Sequence, residues 1–299
     1  MEFSIRTFNL EDVDFAVRVT SKERWGYSKE DFTLMFLMGV GVHYVAEELE
    51  SGKRVGMLST YIYGGKLAWI GNVVVSQESR GMGVATMLLK HAARSLRKEG
   101  VKTIRLYSYL NSEPLYEKLG FTREGIVGVF SKKPVRSKDA KQEIATSRKQ
   151  SELLTANQIE LQHLFDFDSN CFGSDRQRVL AAMVRTEGVT CFVKTSDRTK
   201  RRLIGYIMAT EGKRECEVGP FVCDPERLDA IEELISAVVG KFPEKKITVA
   251  GSLENSAGTT VLQKLNFIKT MEAIKMRKGR DLYNGKPDWI FGVAGLEKG

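Results

Sequence analysis

The alternation of apolar and polar residues predicts a mixed α/β fold in the first 135 residues. Apolar residues at helical spacing indicate helices in segments 9–19, 28–38 and 85–97. Short alternating or β-branched runs indicate strands, at 5–8, 42–48, 54–63 and 67–75. The pair Gly64-Gly65 is typical of a two-residue hairpin turn, so these strands should form an antiparallel meander.

A further strand is predicted at 102–108, after the third helix. It must run parallel to strand 67–75, because a helix connects the two. A short helix at 114–120, stopped by Gly120, and a strand at 125–131 complete the first half.

The second half repeats this order of elements. The pattern predicts helices at 153–165, 226–239 and 260–267. It predicts strands at 189–195, 203–210, 216–223, 247–250 and 289–296. Val218-Gly-Pro-Phe-Val-Cys aligns with Ile70-Gly-Asn-Val-Val-Val, and segment 262–267 aligns with 116–121. We therefore expect two domains, at 1–136 and 151–299, joined by a polar, basic linker at 137–150.

Composition places the chain among soluble globular proteins. Hydrophobic residues make up 42% of it, and its longest apolar runs fall far short of the roughly 18 residues that a membrane span needs. The charged start Met1-Glu-Phe-Ser-Ile-Arg does not read as a signal peptide. We expect a cytoplasmic protein that does not act at a membrane.

The net charge of +8 comes from two stretches. Segment 132–149 holds seven basic residues against two acidic ones, and segment 197–202 holds four against one. Neither stretch carries interleaved aromatic residues that could stack on bases. A solvated linker and a hairpin turn are therefore favoured over a nucleic-acid surface.

Four cysteines lie in the second half, without Cys-x-x-Cys spacing, and the chain has three histidines. This pattern favours reduced, buried thiols over a metal site, and no metal is expected.

The junction after strand 67–75 is the strongest indication of chemistry. Val73, Val74 and Val75 are followed by Gly81 and Gly83, and then by a helix. The first N–H groups of a helix have no partner within it, the helix dipole adds positive charge, and glycines allow close approach. This arrangement predicts a phosphate site. The dinucleotide fingerprint is not met, because Thr86 stands where it needs a glycine, and the P-loop Gly-Lys-Ser/Thr is absent.

The run Arg80-Gly-Met-Gly-Val-Ala85, in its context, resembles the GNAT superfamily of acyl-CoA-dependent N-acyltransferases. The preceding Trp-Ile-Gly-x-Val-Val-Val strand and the later Leu115-Tyr-Glu-Lys-Leu-Gly-Phe121 match that family in order and distance. The resemblance implies two tandem GNAT folds and acetyl-CoA as cosubstrate. It also implies the CoA contacts, which we expect from Val73, Val74, Val75, Arg80, Gly81, Met82, Gly83, Val84, Ala85 and Thr86.

Tyr116 stands where the family's general-acid tyrosine stands, although a purely structural role is an alternative. In the family an asparagine usually precedes that tyrosine by seven residues. Here that position is Tyr109, and Asn111 is not assigned a CoA contact. The general base stays open among Glu47, Glu48, Tyr61 and Tyr63, acting through water.

The resemblance places the segment between the first two helices beside the acceptor pocket. Trp25 and Tyr27 are therefore candidate acceptor contacts, with plain helix packing as the alternative. Asn72, on the fourth strand where many relatives carry an acid or an apolar residue, is a third candidate.

The second half departs from the family at the glycine loop. It has Asp224-Pro-Glu-Arg-Leu-Asp229, with three carboxylates and no glycine, which would repel a diphosphate. Asn255 still matches a family asparagine ahead of the last helix. We expect that this domain does not bind CoA in the usual place and instead completes the acceptor pocket or senses a ligand.

These features predict an N-acetyltransferase that acts on the primary amine of a small metabolite or amino-acid derivative. The alternatives are a non-catalytic acyl-CoA or metabolite sensor and a peptide or protein N-acetyltransferase. The pattern gives no indication of the oligomeric state.

Overall fold

A computed structural model describes residues 1–134, 153–196, 202–213, 215–282 and 285–299 of the chain. The predicted linker at 137–150 and most of the basic turn at 197–202 lie outside these residues. Within the described part of the chain, helices that combine the length and apolar character of a membrane span are absent.

The chain forms two compact units, each made of non-contiguous segments. The first unit contains Met1–Glu124, Met276–Leu282 and Glu297–Gly299. The second unit contains Gly125–Lys275 and Tyr283–Leu296. The division into 1–136 and 151–299 stays a prediction, since the region that would hold its boundary is not described.

The first unit is built on an antiparallel meander that ends in one parallel strand. Its strands are β1 Phe3–Thr7, β2 Tyr44–Glu48, β3 Arg54–Tyr63, β4 Leu67–Val75 and β5 Thr103–Ser108. Its helices are α1 Val13–Lys22, α2 Lys29–Leu37, α3 Val84–Lys98 and α4 Glu113–Lys118. Neighbouring strands from β1 to β4 pair antiparallel, and β5 pairs parallel with β4. The predicted meander and parallel crossover are confirmed.

Local chemistry explains where these elements begin and end. Ser28 caps α2 in a reciprocal capping box with Asp31, which satisfies two helix-end donors. Gly64 and Gly65 both have positive φ, at 53° and 69°, which the tight β3–β4 hairpin requires. Helix α3 buries one stripe of side chains against the sheet, formed by Val84, Leu88, Leu89, Ala92, Ala93 and Leu96.

A segment from late in the chain, 276–282, belongs to the first unit. Arg280 N–H donates to the Lys102 carbonyl at 3.2 Å, and Thr103 Oγ1 donates to the Arg280 carbonyl at 2.5 Å. Glu124 accepts from both Arg105 and Arg277, each at 2.8 Å through Nε. The nearly buried Arg105 side chain makes this an ion network rather than a surface pair.

The second unit is also built on parallel and antiparallel strands. Its strands are β6 Thr122–Lys132, β7 Leu154–Thr155, β8 Val189–Thr195, β9 Leu203–Glu211, β10 Glu215–Cys223, β11 Lys246–Ser252, β12 Ile268–Gly279 and β13 Ile290–Gly292. Its helices are α5 Leu161–Phe172, α6 Gln177–Arg185, α7 Leu228–Lys241 and α8 Ser256–Lys264. β10 runs parallel to β11, and β11 pairs antiparallel with β6 from residue 127 to 132. β6 and β12 each have one end in the first unit.

Several predicted elements of the second half were wrong. The predicted helix at 153–165 is a short strand and a 3-10 turn followed by α5, which begins only at Leu161. The predicted closing strand at 289–296 is reduced to β13, because a 3-10 turn precedes it. Helix α6 and the long strand β12 were missed. The mixed polar sequence Ile268–Gly279 lacks the apolar run of a buried strand.

The four cysteines are buried and unpaired, as predicted. A fully buried ion pair also stabilises the second unit. Arg176 donates twice to the Asp168 carboxylate, at 2.8 Å each, and Tyr206 hydroxyl contacts the same carboxylate. The motif 168–176 thus folds around a charge pair that its own helix ends bring together.

Candidate active site

The glycine loop of the first unit positions a helix start toward open space. Gly81 and Gly83 have φ of +78° and +82°, and Gly83 is the N-cap of α3. A Cβ at either glycine would meet nothing within 4 Å. Glycine is therefore needed here for the left-handed backbone rather than for lack of room.

The start of α3 has no cap of its own. Its N-cap residue, Gly83, has no side chain that could accept from the first N–H groups, and its first turn holds no acidic residue, while Arg97 and Lys98 lie in its last turn. These N–H groups and the helix dipole can therefore hold a diphosphate. The first three N–H groups of α3 belong to the predicted contacts Val84, Ala85 and Thr86.

Two predicted loop residues have exposed side chains. The Arg80 side chain is 48% exposed; its Nε donates to the Val75 carbonyl at 3.2 Å, and Nη2 contacts the Glu23 carboxylate. Met82 is 44% exposed. Arg80 is thus held at the rim of the loop by Glu23, a residue that the sequence analysis did not single out.

β4 and β5 separate next to this loop. They pair from Leu67 with Thr103 to Ile70 with Leu106. On its other edge, β4 places Asn72 and Val73 opposite the single residue Leu58 of β3, because the register shifts there. This β-bulge leaves Asn72 and Val73 out of the regular pairing with β3, which continues at Gly71 on one side and at Val74 and Val75 on the other. Beyond Ile70 and Leu106, a slot separates β4 from β5. The predicted contacts Val73, Val74 and Val75 lie on its β4 side.

Asn72 is the strained residue of the bulge, with φ of +51°. It is buried, and its amide nitrogen lies 3.4 Å from Met35 Sδ and 3.3 Å from Ser59 Oγ. These contacts hold the bulge in place. An acceptor contact for Asn72 stays a prediction.

Tyr116, on α4, is a buried phenol. Its ring packs edge-on against Phe121 at 6.0 Å, and its side chain is buried. Burial, with a smaller contribution from Tyr109, raises the pKa of Tyr116 to about 12. The phenol is therefore protonated at neutral pH and can donate a proton, as a general acid must.

The structure brings Trp25 and Tyr27 together with a third aromatic residue. Trp25 packs edge-on against Tyr27 at 6.5 Å and lies tilted against Tyr109, also at 6.5 Å. Burial raises the pKa of Tyr109, and a hydrogen bond with Trp25 opposes this. Tyr109 also contributes to the raised pKa of Tyr116. The cluster of Trp25, Tyr27 and Tyr109 therefore extends from the loop after α1 toward the candidate acid. The sequence analysis had noted Tyr109 only as a departure from the family.

The four candidate bases have different surroundings. Glu47 accepts from Arg6 at 3.0 and 2.6 Å, and Glu48 accepts from Ser51 Oγ at 2.5 Å. Tyr63 hydroxyl donates to the Lys298 carbonyl at 2.8 Å. Tyr61 hydroxyl is fully buried and has no hydrogen-bond partner in the described part of the chain. Burial raises the pKa of Tyr61, and the Glu297 carboxylate raises it further.

The equivalent slot of the second unit is filled by the chain itself. β10 and β11 pair up to Val218 and Val249, and β13 then pairs with β10. Val293 N–H donates to the Ala250 carbonyl of β11 at 2.8 Å. Residues 290–293 therefore occupy the space between the two strands.

The start of α7 carries carboxylates that already have partners. Asp224 Oδ1 accepts from Glu226 N–H at 3.0 Å, and Arg227 donates to both oxygens of Asp229. The guanidinium holds the pKa of Asp229 below its usual value, so this first turn carries negative charge. Asn255 caps α8, accepting from Gly258 N–H at 3.0 Å. These contacts support the prediction that the second half lacks the usual CoA site.

A metal centre has no counterpart in what the structure describes: three or more His, Cys, Asp or Glu side chains do not converge anywhere in those residues.

Both halves of the chain match family models of acetyltransferases. Residues 9–121 match the acetyltransferase (GNAT) family, and residues 164–292 match an acetyltransferase (GNAT) domain. The chain belongs to the GNAT family, with two domains in tandem, and is an acyltransferase.

The chain is also similar to other known proteins and solved structures. The chain is 22% identical over 240 residues to the uncharacterized N-acetyltransferase YitH of Bacillus subtilis (strain 168), covering 80% of this chain and 79% of YitH. It superposes on a candidate acetyltransferase from Pyrococcus horikoshii with a TM-score of 0.79 and 20% identity, over 99% of this chain and 96% of that one. It superposes on a tandem GNAT protein from the clavulanic acid biosynthesis pathway with a TM-score of 0.61 and 14% identity, over 93% of this chain and 98% of that one. These structures share the fold.

Proposed function

We propose that this chain is an acetyl-CoA-dependent N-acetyltransferase whose acceptor is the primary amine of a small metabolite or amino-acid derivative. The observation that carries the proposal is the uncapped start of α3 behind Gly81 and Gly83, next to the separated strands β4 and β5.

The residues present fit acetyl-CoA in charge and in the backbone groups that they offer. The amides of Gly81 to Thr86 would hold the diphosphate, and Arg80 would reach it after releasing Glu23. The main chain of Val73 to Val75 would hold the pantetheine arm as an added strand edge. Acetyl-CoA supplies the reactive thioester and the thiol leaving group.

The chain's own groups then favour transfer by direct attack. Holding the amine and the thioester together supplies much of the acceleration. A main-chain N–H near Val73 would polarise the carbonyl oxygen. Tyr116 would donate its proton to the departing sulfur, because its raised pKa keeps it protonated.

A small acceptor is supported by the segment that lies against β4. Residues 297–299 cover part of the face of this strand, from Trp69 to Gly71. Because this segment covers part of the strand, less of the face of β4 is open to an extended peptide.

Two measurements on the purified chain test the proposal. Titration calorimetry should detect acetyl-CoA binding, and a thiol-release assay across a panel of primary amines should detect turnover. Binding without turnover of any amine would favour the sensor alternative, and absence of binding would remove the acetyl-CoA assignment.

A further inference from the structure

Segment 297–299 packs on the face of β4 where this strand leaves β5. A Cβ placed on Gly71 would lie 2.4 Å from Glu297 Cα and 2.5 Å from Glu297 Cβ, so position 71 must be glycine for the segment to fit. Gly71 directly follows Ile70, which is the last residue of β4 that pairs with β5. Glu297 therefore lies over the face of β4 at the level where β4 and β5 begin to separate.

Glu297 carries a buried carboxylate that already binds an ammonium group. Its side chain is 7% exposed and forms an ion pair with Lys298 Nζ. Buried carboxylates in proteins are normally paired, since an isolated buried charge is costly. A primary alkylamine with a pKa near that of lysine is an ammonium ion at neutral pH, so it offers the same partner as Lys298.

A buried hydroxyl, that of Tyr61, lies on the same face of the sheet as this carboxylate. Tyr61 pairs with Trp69 in the β3–β4 register, and Ser59 pairs with Gly71, so alternate residues place Tyr61 on the face that Glu297 covers. Buried hydroxyls are nearly always hydrogen-bonded, and that of Tyr61 has no partner among the described residues. The other titratable neighbours are Tyr63, which holds the Lys298 carbonyl, and His43, whose ring packs against Tyr61 at 5.7 Å.

We propose that Glu297 is a catalytic residue that binds the acceptor as an ammonium ion and removes its first proton, with the Tyr61 hydroxyl as a second contact. The inference rests on the proposed function and deepens it. It commits the acceptor to unhindered primary alkylamines that are protonated at neutral pH. The acceptor ammonium replaces that of Lys298, which acts as an internal competitor.

The proton balance is complete with the groups named. The ammonium gives one proton to Glu297, which passes it to water. The free amine nitrogen then forms the bond to the carbonyl carbon, and the carbon–sulfur bond breaks. Tyr116 gives its proton to the leaving sulfur, and the second proton lost by the nitrogen restores Tyr116. The products are the amide, the thiol and one proton.

Ligand-observed NMR at pH 7 tests the ammonium site without requiring turnover. The probes are n-butylamine and benzylamine, with n-butanol and benzyl alcohol as uncharged counterparts, added to the full chain in the presence of acetyl-CoA. The variants are Glu297→Gln, Tyr61→Phe and Lys298→Met, and the matched control is Glu50→Gln, an exposed hairpin carboxylate. Thermal melts confirm that each variant is folded.

The wild type should bind the amines in preference to the alcohols. Glu297→Gln should weaken amine binding at least tenfold, Tyr61→Phe should weaken it less, and Lys298→Met should strengthen it. Glu50→Gln should bind like the wild type. Preference for amines that persists in Glu297→Gln, or its absence from the wild type, would overturn the proposal.

Turnover supplies a second, separate readout. With an amine that reacts, Glu297→Gln should lower kcat/KM at pH 7 by about 10²- to 10³-fold and leave the Kd of acetyl-CoA unchanged. Its kcat/KM should rise about tenfold per pH unit toward the pKa of the amine, because only the neutral amine then reacts. A parallel pH profile in both proteins would overturn the role of Glu297. Absence of thiol release with every amine would instead overturn the transferase proposal, while the NMR result still decides the ammonium site.

Discussion

Arg80, at the rim of the glycine loop, forms an ion pair with Glu23, which lies just after α1. Both side chains are partly exposed, at 48% and 26%. The same loop residue is the predicted contact for the diphosphate of CoA. If CoA binds as proposed, Glu23 and the diphosphate would compete for one guanidinium.

Removing this competitor should strengthen cofactor binding. An exposed ion pair is worth up to about 1 kcal/mol, so Glu23→Gln should lower the Kd of acetyl-CoA by up to about fivefold. Arg80→Gln should raise it. Calorimetry measures both, with Glu50→Gln as the control. If Glu23→Gln leaves the Kd unchanged while Arg80→Gln raises it, the two partners do not compete.

Gly83 should be needed for binding, and not only for folding. Valine at 83 must adopt φ near +82° and carries a side chain into the space before α3. Gly52 has φ of +64° with open space around it, so Gly52→Val is a matched control for backbone strain. Both variants should lose about 1–2 kcal/mol of unfolding free energy or more. Gly83→Val alone should raise the Kd of acetyl-CoA, by about tenfold or more; equal affinities would contradict the phosphate cradle.

Tyr116→Phe should lower kcat by about 10²-fold or more, because it removes the proposed proton donor. The Kd of acetyl-CoA should stay the same. Tyr44→Phe removes the hydroxyl of another buried tyrosine in the same unit and should leave kcat unchanged. Steady-state kinetics with a reactive amine distinguish the two variants. An unchanged kcat in Tyr116→Phe would leave this residue with a structural role alone.

The Asp168–Arg176 pair should contribute far more to stability than a surface pair. Asp168→Asn leaves the buried Arg176 guanidinium without its charge partner, which should cost about 3–5 kcal/mol of unfolding free energy. Glu232→Gln breaks the exposed pair with Lys264 and should cost less than about 1 kcal/mol. Denaturant unfolding measures both. Equal losses would mean that Asp168 and Arg176 are not buried together.

Alkaline pH should destabilise the chain through its buried thiols. Burial raises the pKa of Cys191 from 9.0 to about 12, so the folded thiol stays protonated where the unfolded one ionises. The contribution of this protonated thiol to the unfolding free energy is fully present below pH 9 and is lost as pH rises toward 12. In that range Cys191→Ala should make the decline of the unfolding free energy shallower, by up to about 1.4 kcal/mol per pH unit. An identical slope in both proteins would show that Cys191 ionises freely.

The first unit could be predicted closely because its signals are local. Strands β3 and β4 have the bounds that the pattern predicted, and Gly64-Gly65 forms the expected hairpin. Helix α3 follows the glycine loop, as the helical spacing of its apolar residues predicted. Each of these features depends on neighbouring residues, on apolar period and on backbone conformation.

The candidate site was predictable only in part. The loop from Arg80 to Thr86 and Tyr116 are recognisable because their spacing is itself the signal. Glu23, Tyr109 and Glu297 were missed, since each meets its partners through distant parts of the chain. Gly71 offered one weak sequence signal. A glycine inside a strand, away from any turn or helix end, indicates that another part of the chain approaches closely, and here that part is Glu297.

Residue order in the chain determined the two GNAT domains, the glycine loop of the first half and the loss of that loop in the second half, because periodicity, glycine conformation and charge are properties of short segments. The folded chain alone determined that segment 276–282 adds to the first sheet, that β13 fills the second slot and that Glu297 lies against Gly71. These contacts join residues 40 or more positions apart. They depend on complementary surfaces and buried charge, which no short stretch of sequence encodes.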